Sequence, residues 1–211
     1  MRLIYNIKMK TYEQLEQSCV RMGYKFFHGS VNLIGERTSD IFTDSFTDRL
    51  HLAINKRVIS IPRTTKAGLY YVKNPVTAYG LNIKTGAYEN IPGTAILKEG
   101  QYPSVYNFVD SYYGWLRYPY FMQQAVVDVY RDKNLDNKID RDAPIHRGLF
   151  GINLHRMSNT GQKVGIIHNW SAGCNGAEEP EFAKILPDVR ADVKKFGSSF
   201  SYTLFKSSEM Y

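Results

Sequence analysis

The sequence predicts a mainly β fold of the α+β class, with one helix at the front of the chain and one or two helices after residue 174. Short runs rich in β-branched and aromatic residues, punctuated by Gly, Pro, Asn and Asp, follow residue 23. Apolar residues recur at helical spacing before it. Hydrophobic residues make up 43% of the 211 residues and charged residues 22%, so the chain can bury a sizeable core.

The first predicted element is a helix in the segment TYEQLEQSCVRMGYKFF. Thr11 and Gln14 have the spacing of a capping box, and Gly23 is a natural stop. The apolar stripe comprises Tyr12, Leu15, Cys19 and Met22. Because Cys19 lies on this stripe, we expect it to be a small buried residue without a reactive role.

The predicted strands occupy most of the remaining chain. The best candidates are RVISIP, GLYYVKNP, GTAILKEGQYP, AVVDVYRD, GLFGINLHR and SFSYTLF. The segment EEPEFAKILPDVRADVKKF has a helical pattern, which Pro187 interrupts or restarts. These predictions describe a β-rich body, with the first helix packed outside it.

The charge of the chain favours an anionic partner. The net charge is +7, but no basic run distinguishes nucleic acid from a bacterial cell wall with its carboxylates and phosphates. No apolar stretch approaches the ~20 residues that cross a bilayer, so no membrane span is expected. The N-terminal MRLIYNIKMK lacks a signal core, and two cysteines do not make a disulfide framework. We therefore expect synthesis in the cytoplasm, and extracellular action only through a phage particle or lysis.

His155 and Cys174 raise the question of a catalytic pair. A thiol nucleophile needs a base within hydrogen-bond reach, donors for an oxyanion and an exposed position. His155 ends the apolar run GLFGINLH, and Gly173 allows a tight turn before Cys174. An imidazolium beside the thiol would favour a thiolate–imidazolium pair. The alternative is a buried cysteine with an unrelated histidine at the surface.

The motif around these residues resembles the signature of the L,D-transpeptidase catalytic domain. A histidine, a spacer (residues 156–170) and then Ser-x-Gly-Cys match at His155, Ser171, Gly173 and Cys174. The segments GTAILKEGQYPSVY, VDVYRDKNLDNKID and GLFGINLHR resemble a phage-encoded and bacterial branch of these proteins. The resemblance covers roughly residues 90–205, and Ala172 replaces the inner histidine of the motif.

The resemblance implies a fold and a domain division. The expected fold is an L,D-transpeptidase-like β-sandwich with an N-terminal helix and a helix after the cysteine loop. Residues 1–50 would be an N-terminal helix and extension, and residues 51–211 would be the catalytic domain. His168 is a candidate replacement for the missing inner histidine, with an ordinary loop residue as the alternative.

The resemblance also implies roles for individual residues. Cys174 would attack the carbonyl after the L-centre of an L,D-linked peptide and form a thioester. His155 would act as the base, and the main-chain carbonyl of Arg156 would orient it. Ser171 would brace the loop, and amides at Ala172 and Gly173 would bind the oxyanion. The reaction needs no cofactor.

Two further groups are candidates for binding. The residues expected to line the substrate cleft are Trp170, Asn175, Asn153 and Tyr102. The nine aromatic residues between positions 102 and 121 form a groove or a lid in one interpretation, and core plus surface in the other. Candidate ligands for a structural Ca²⁺ are Asp132, Asn134, Asp136 and Asp140, at loop positions 1, 3, 5 and 9. An Asn and an Ala replace the usual Gly and Glu, so a plain turn is the alternative.

The sequence thus predicts an enzyme that cleaves or exchanges L,D-linked stem-peptide bonds of peptidoglycan, acting as a phage lysin or virion-associated hydrolase. One alternative is a wall-binding or virion structural protein that keeps the fold without activity. A second alternative is a cross-linking L,D-transpeptidase. The expected partner is the peptidoglycan stem peptide, with no role for nucleic acid.

Overall fold

The computed structural model describes residues 9–110, 118–158 and 164–211, and it confirms the mainly β class. The helices are α1 (Tyr12–Arg21), α2 (Leu69–Lys73), α3 (Glu179–Ala183) and α4 (Leu186–Phe196). The strands are β1 (Asn32–Arg37), β2 (Asp48–Ile54), β3 (Arg57–Thr64), β4 (Ala78–Asn82), β5 (Tyr88–Ile91), β6 (Thr94–Leu97), β7 (Gly100–Val109), β8 (Tyr120–Gln123), β9 (Val127–Asp132), β10 (His146–Gly148), β11 (Leu154–Met157), β12 (Asn175–Glu178) and β13 (Ser199–Lys206).

The strands form two sheets, of which the first closes on itself. It is a barrel in the order β1-β13-β7-β8-β11-β12-β3-β2, and the second is a five-stranded sheet in the order β5-β4-β10-β9-β6. The sequence predicted a sandwich, but strand patterns do not reveal the parallel pairing of β1 with β13, which lie far apart in the sequence. The predicted domain boundary after residue 50 falls within β2, and β1 before it belongs to the barrel.

The main core is shared by the barrel and one face of the five-stranded sheet. Leu50, Leu52 and Leu204 from barrel strands lie in the same apolar cluster as Leu97 and Val129 from the second sheet. Burial of such side chains stabilises the fold by roughly 1.5–3 kcal/mol each. The second sheet is therefore held firmly against the barrel, and loops between the two are well placed to form a site.

Helix α1 packs on the outside of the barrel, as predicted. Thr11 Oγ1 accepts from the Gln14 amide at 3.2 Å, and Gln14 Oε1 accepts from the Thr11 amide at 2.9 Å, which completes the capping box. Cys19 is buried, and burial raises the pKa of its thiol to about 12. Met22, the last residue of the predicted stripe, lies beyond the helix and is 39% exposed.

One predicted strand is wrong, and the predicted C-terminal helix is divided. The segment GLYYVKNP contains α2, because Val72 turns into a separate apolar cluster while the Tyr71 amide bonds the Gly68 carbonyl. Tertiary packing here overrides the β propensity of two tyrosines and a valine. Helices α3 and α4 share the predicted helical segment, and α4 begins one residue before Pro187, where its missing amide costs nothing.

None of the described helices combines the length and the apolar character needed to cross a membrane.

Candidate functional site

Two neighbouring parallel strands place His155 and Cys174. In the register of β11 with β12, Leu154 pairs with Asn175 and His155 pairs with Gly176. Side chains alternate along a strand, so His155 and Gly176 share one face of the barrel wall. Cys174 precedes Gly176 by two residues and therefore lies on that same face, one diagonal step from His155.

The ring of His155 is held in one orientation by the backbone. The Nδ1 atom lies 2.6 Å from the carbonyl oxygen of Arg156, to which it donates. The Tyr118 hydroxyl lies 3.2 Å from the same Nδ1 and donates to the Arg156 carbonyl at 3.3 Å. Because Nδ1 carries the proton, the neutral ring has its lone pair on Nε2, the nitrogen that a general base needs.

The loop before β12 is braced by Ser171. Its buried Oγ donates to the Cys174 carbonyl at 2.8 Å and accepts from the Gly173 amide at 3.1 Å. Its carbonyl accepts from the Gly68 amide at 3.0 Å, which ties the loop to the start of α2. The thiol of Cys174 donates to the Gly151 carbonyl at 3.3 Å, so the segment before β11 contacts this side chain.

Gly173 is required by its conformation and by its neighbour. Its φ is +132°, a region that L-residues rarely adopt. A Cβ at this position would lie 2.4 Å from the carbonyl oxygen of Ala95 on β6. The loop that carries Cys174 thus rests directly on the five-stranded sheet, and any side chain at position 173 would push it away.

Burial favours a neutral pair in the resting protein. Although Cys174 is partly exposed, the surrounding protein raises the pKa of its thiol to about 11, against a lowering by the Asn153 amide. Burial lowers the pKa of His155, against a raising by the Arg156 carbonyl. Both shifts disfavour the charged forms. The thiolate–imidazolium pair expected from the sequence is therefore not the state that this environment favours.

The four positions expected to line the cleft have different surroundings. Trp170 is 40% exposed beside the loop. Asn175 is buried and donates to the Tyr106 hydroxyl at 3.2 Å, while Asn153 accepts from the Gln123 amide at 2.9 Å. The half-buried Tyr102, near the start of β7, donates from its hydroxyl to the Lys98 carbonyl at 2.7 Å. Of the four, Trp170 alone presents a large surface to solvent.

His168 makes its contacts with residues outside the loop that carries Ser171 and Cys174. Its amide donates to Asp44 at 2.7 Å, and its ring meets Tyr70 edge-on with the centroids 5.7 Å apart. These contacts favour the reading of His168 as an ordinary loop residue over that of a replacement for the inner histidine.

Tyr118 contacts His155, and the sequence did not single it out. It was one of nine aromatic residues without regular spacing, and no local motif marks it. Burial raises the pKa of its hydroxyl to about 12, so at neutral pH it carries its proton. The Arg156 guanidinium lies 4.3 Å above its ring, which fixes the ring from the other side. The aromatics Tyr112, Tyr113 and Trp115 lie outside the described residues.

Removal of the Tyr118 hydroxyl tests this assignment. In Tyr118→Phe we expect kcat/KM to fall about tenfold, because His155 and the Arg156 carbonyl lose one shared contact while the main Nδ1 bond remains. The matched control is Tyr120→Phe, which removes a neighbouring hydroxyl whose contact is a weak one to the Met122 sulfur at 3.9 Å. Steady-state rates of the two variants are compared, and equal rates would remove Tyr118 from the site.

The predicted calcium loop has some features of a cation site and some of a plain turn. Asp132 is buried, and its Oδ2 atom has no hydrogen-bond partner among the described residues. Asn137 has a φ of +65° and so takes the conformation for which glycine is preferred. However, Asn134 donates to Asp140 at 3.2 Å, and no three His, Cys, Asp or Glu side chains in the described segments are arranged to hold a metal. Ca²⁺ binding stays a prediction.

A thermal melt tests it directly. If Ca²⁺ binds at Asp132, Asp136 and Asp140, millimolar CaCl₂ raises Tm by a few degrees relative to excess chelator, because a ligand of the native state alone stabilises it. Asp132→Asn should abolish the difference, whereas Glu13→Gln on the exposed face of α1 should keep it. Superimposable melts of the wild type in calcium and chelator would leave a plain turn.

A comparison of the sequence with family models and with curated proteins finds no match.

Proposed function

We propose that the protein is a cysteine enzyme of L,D-transpeptidase type that acts on L,D-linked stem-peptide bonds of peptidoglycan. The observation that carries this proposal is the arrangement of His155. Its Nδ1 proton is held by the Arg156 carbonyl on the strand beside Cys174, which leaves Nε2 as a base on the face that the thiol shares.

The neutral resting pair sets the order of events. As the substrate carbonyl binds, Nε2 of His155 takes the proton of Cys174 while the sulfur forms its bond to the carbonyl carbon. The tetrahedral intermediate collapses when the bond to nitrogen breaks, and the imidazolium returns the proton to the leaving amine. The product is a thioester on Cys174. Water then hydrolyses this thioester, or a second amine takes the acyl group and forms a cross-link.

The backbone of the loop supplies the oxyanion donors. The Gly173 amide is bound by Ser171 Oγ at 3.1 Å, so the role falls to the amides of Ala172 and Cys174. The side chain of Ala172 is exposed, and none of these proton transfers passes through it. We therefore expect the loss of the inner histidine of the motif to affect the contact of the loop with substrate more than the chemical steps.

The L,D-transpeptidase-like architecture is part of the same proposal. It is supported by the parallel pair β11 and β12, which carries the base and ends the nucleophile loop, and by α3, which follows at once. The net charge of +7 suits a wall rich in carboxylates and phosphates, and we propose the bacterial cell wall as the place of action.

One observation favours a second function, a wall-binding protein without turnover. The pKa of Cys174 is raised to about 11, so little thiolate exists at neutral pH unless substrate binding promotes the proton transfer. In that case the protein would bind peptidoglycan and leave it intact.

Digestion of purified sacculi distinguishes the two functions. Wild-type protein should release D-amino acids or soluble muropeptides, and mass spectrometry should place the cut at an L,D bond. Cys174→Ala should release none, while Cys19→Ala, which changes the buried cysteine of α1, should match the wild type. Cosedimentation of wild type with sacculi, without release, would establish binding alone and overturn the enzymatic proposal.

A further inference from the structure

Arg131 is a buried arginine whose charge has no acidic partner in hydrogen-bond contact among the described residues. It is fully covered on β9, where its Nη1 donates to the Gly93 carbonyl at 3.1 Å. Its Nε and Nη2 atoms have no hydrogen-bond partner among the described residues. Burial lowers the pKa of Arg131 to about 10, so the side chain is still protonated at neutral pH. A buried charge of this kind is costly unless an anion meets it.

The side chain points to the same side of the five-stranded sheet as the main core. Arg131 pairs with Ala95 and Val129 pairs with Leu97, so all four side chains share one face. His146, also fully buried, pairs with Val129 on this face, and its Nε2 lies 3.3 Å from a carboxylate oxygen of Glu89. Burial lowers the pKa of His146, against a raising by Glu89.

Two contacts connect Arg131 to the nucleophile loop. Ala95 pairs with Arg131 on the adjacent strand β6, and its carbonyl oxygen is the atom that a Cβ at position 173 would strike. The guanidinium of Arg131 lies 4.8 Å from the centre of the Phe150 ring. The carbonyl of the next residue, Gly151, accepts a hydrogen bond from the Cys174 thiol. Arg131 is therefore one residue removed from both the loop that carries Cys174 and the Gly151 carbonyl that this thiol contacts.

We infer that Arg131 binds a carboxylate of the substrate, namely that of the D-residue released when the L,D bond is cleaved. This inference rests on the proposed function. A carboxylate matches a guanidinium that has its Nε and Nη2 donors unused, because these two donors bind both oxygens side by side. The site therefore takes peptides that end in a free D-residue.

Phe150 controls access to this subsite. The half-buried ring lies over Gly80 and Gly148, where an added Cβ would come within 2.8 Å and 3.0 Å of it. Glycine at both positions leaves room for the ring against the sheet. Because Arg131 is fully covered, a carboxylate reaches it only when the Phe150 ring moves off the guanidinium.

A binding experiment without turnover tests the inference. Calorimetry measures the Kd of Cys174→Ala for a synthetic stem tetrapeptide ending in an L,D bond and D-alanine, as free acid and as C-terminal amide. Amidation should weaken binding about 10- to 100-fold, the effect of losing a charge-assisted pair. In Cys174→Ala/Arg131→Met, amidation of the peptide should weaken binding less than about twofold. The matched control is Cys174→Ala/Arg147→Met, which removes an exposed arginine of β10 that is paired with Asp128 of β9.

The outcomes are distinct for the inference and for the proposed function. Equal losses on amidation with and without Arg131 would overturn the inference, as would binding of acid and amide alike. Discrimination between them without cleavage by the wild type would overturn the proposed function and leave the inference intact. If neither peptide binds, both fail. Should Arg131→Met not fold, Cys174→Ala/Arg131→Lys serves instead: it keeps the charge but not the pair of donors, so amidation should weaken its binding less than it weakens that of Cys174→Ala, and an equal loss would overturn the inference.

Discussion

Replacement of His155 by glutamine is expected to lower kcat/KM for L,D-peptide cleavage by at least about 10³-fold, because the variant has no group that takes the thiol proton. The double variant with Cys174→Ala should be no less active than Cys174→Ala alone, since base and nucleophile act as one unit. His155 is only 5% exposed, so the substitution should also reduce the free energy of unfolding by about 1–3 kcal/mol.

The control for this prediction separates catalysis from stability. His51→Gln changes another buried histidine, which lies on β2 and bonds Ser60 of β3 and Glu36 of β1. We expect a comparable loss of stability in urea unfolding and no comparable loss of activity. If His155→Gln retained more than a tenth of the wild-type rate, His155 would not be the base.

The largest effect on stability is expected at Asp48. Its carboxylate is fully buried and accepts from the Thr38 amide at 3.0 Å, from the Thr65 amide and hydroxyl at 2.9 and 2.6 Å, and from Lys66 Nζ at 3.1 Å. Asp48→Asn leaves the buried ammonium of Lys66 without its counter-charge, and we expect a loss of about 3–5 kcal/mol in the free energy of unfolding. Urea denaturation measures it.

An exposed pair gives the matched control. Asp110 bonds Arg190 at the surface, with both side chains 41% exposed, so Asp110→Asn should cost less than about 1 kcal/mol. Asp48→Asn combined with Lys66→Met should recover part of the lost stability, because the unpaired charge is then gone. Equal effects at positions 48 and 110 would contradict the buried-pair account.

The Asp48 pair also predicts a dependence on pH. Burial alone would raise the pKa of Asp48, but Lys66 and the Thr65 hydroxyl outweigh it and hold the pKa below its ordinary value. An unfolded aspartate has a pKa of about 3.9, so the stabilisation is complete above that value and is lost as pH falls through the lower native pKa. The difference between wild type and Asp48→Asn should therefore be constant near pH 6 and shrink in strong acid.

Local patterns predicted the elements that local interactions determine. The capping box of Thr11 and Gln14 and the restart at Pro187 depend on neighbours within a few residues, and both are present in the structure. Helix α2 and the closure of the barrel depend on distant partners. Val72 is held by residues from other segments, and β1 meets β13 only in the folded chain, so no local pattern reveals either.

The site shows the same division. The motif places His155, Ser171 and Cys174 in the sequence, and the register of β11 and β12 explains how two of them share a face. Tyr118 reaches the site from the chain before β8, and Arg131 lies on the other sheet; their roles depend on packing across the molecule. The neutral resting state could not be read from the sequence, because burial determines it.

Capture of the acyl-enzyme tests the central claim most directly. Wild-type protein is mixed with the stem tetrapeptide, quenched in acid within seconds and digested, and the peptides are weighed by mass spectrometry. We predict that the peptide containing Cys174 gains the mass of the tripeptide acyl group, that hydroxylamine removes it, and that His155→Gln shows almost none. Cleavage of the tetrapeptide with an unmodified Cys174, persisting in Cys174→Ala, would contradict a thioester mechanism at this residue.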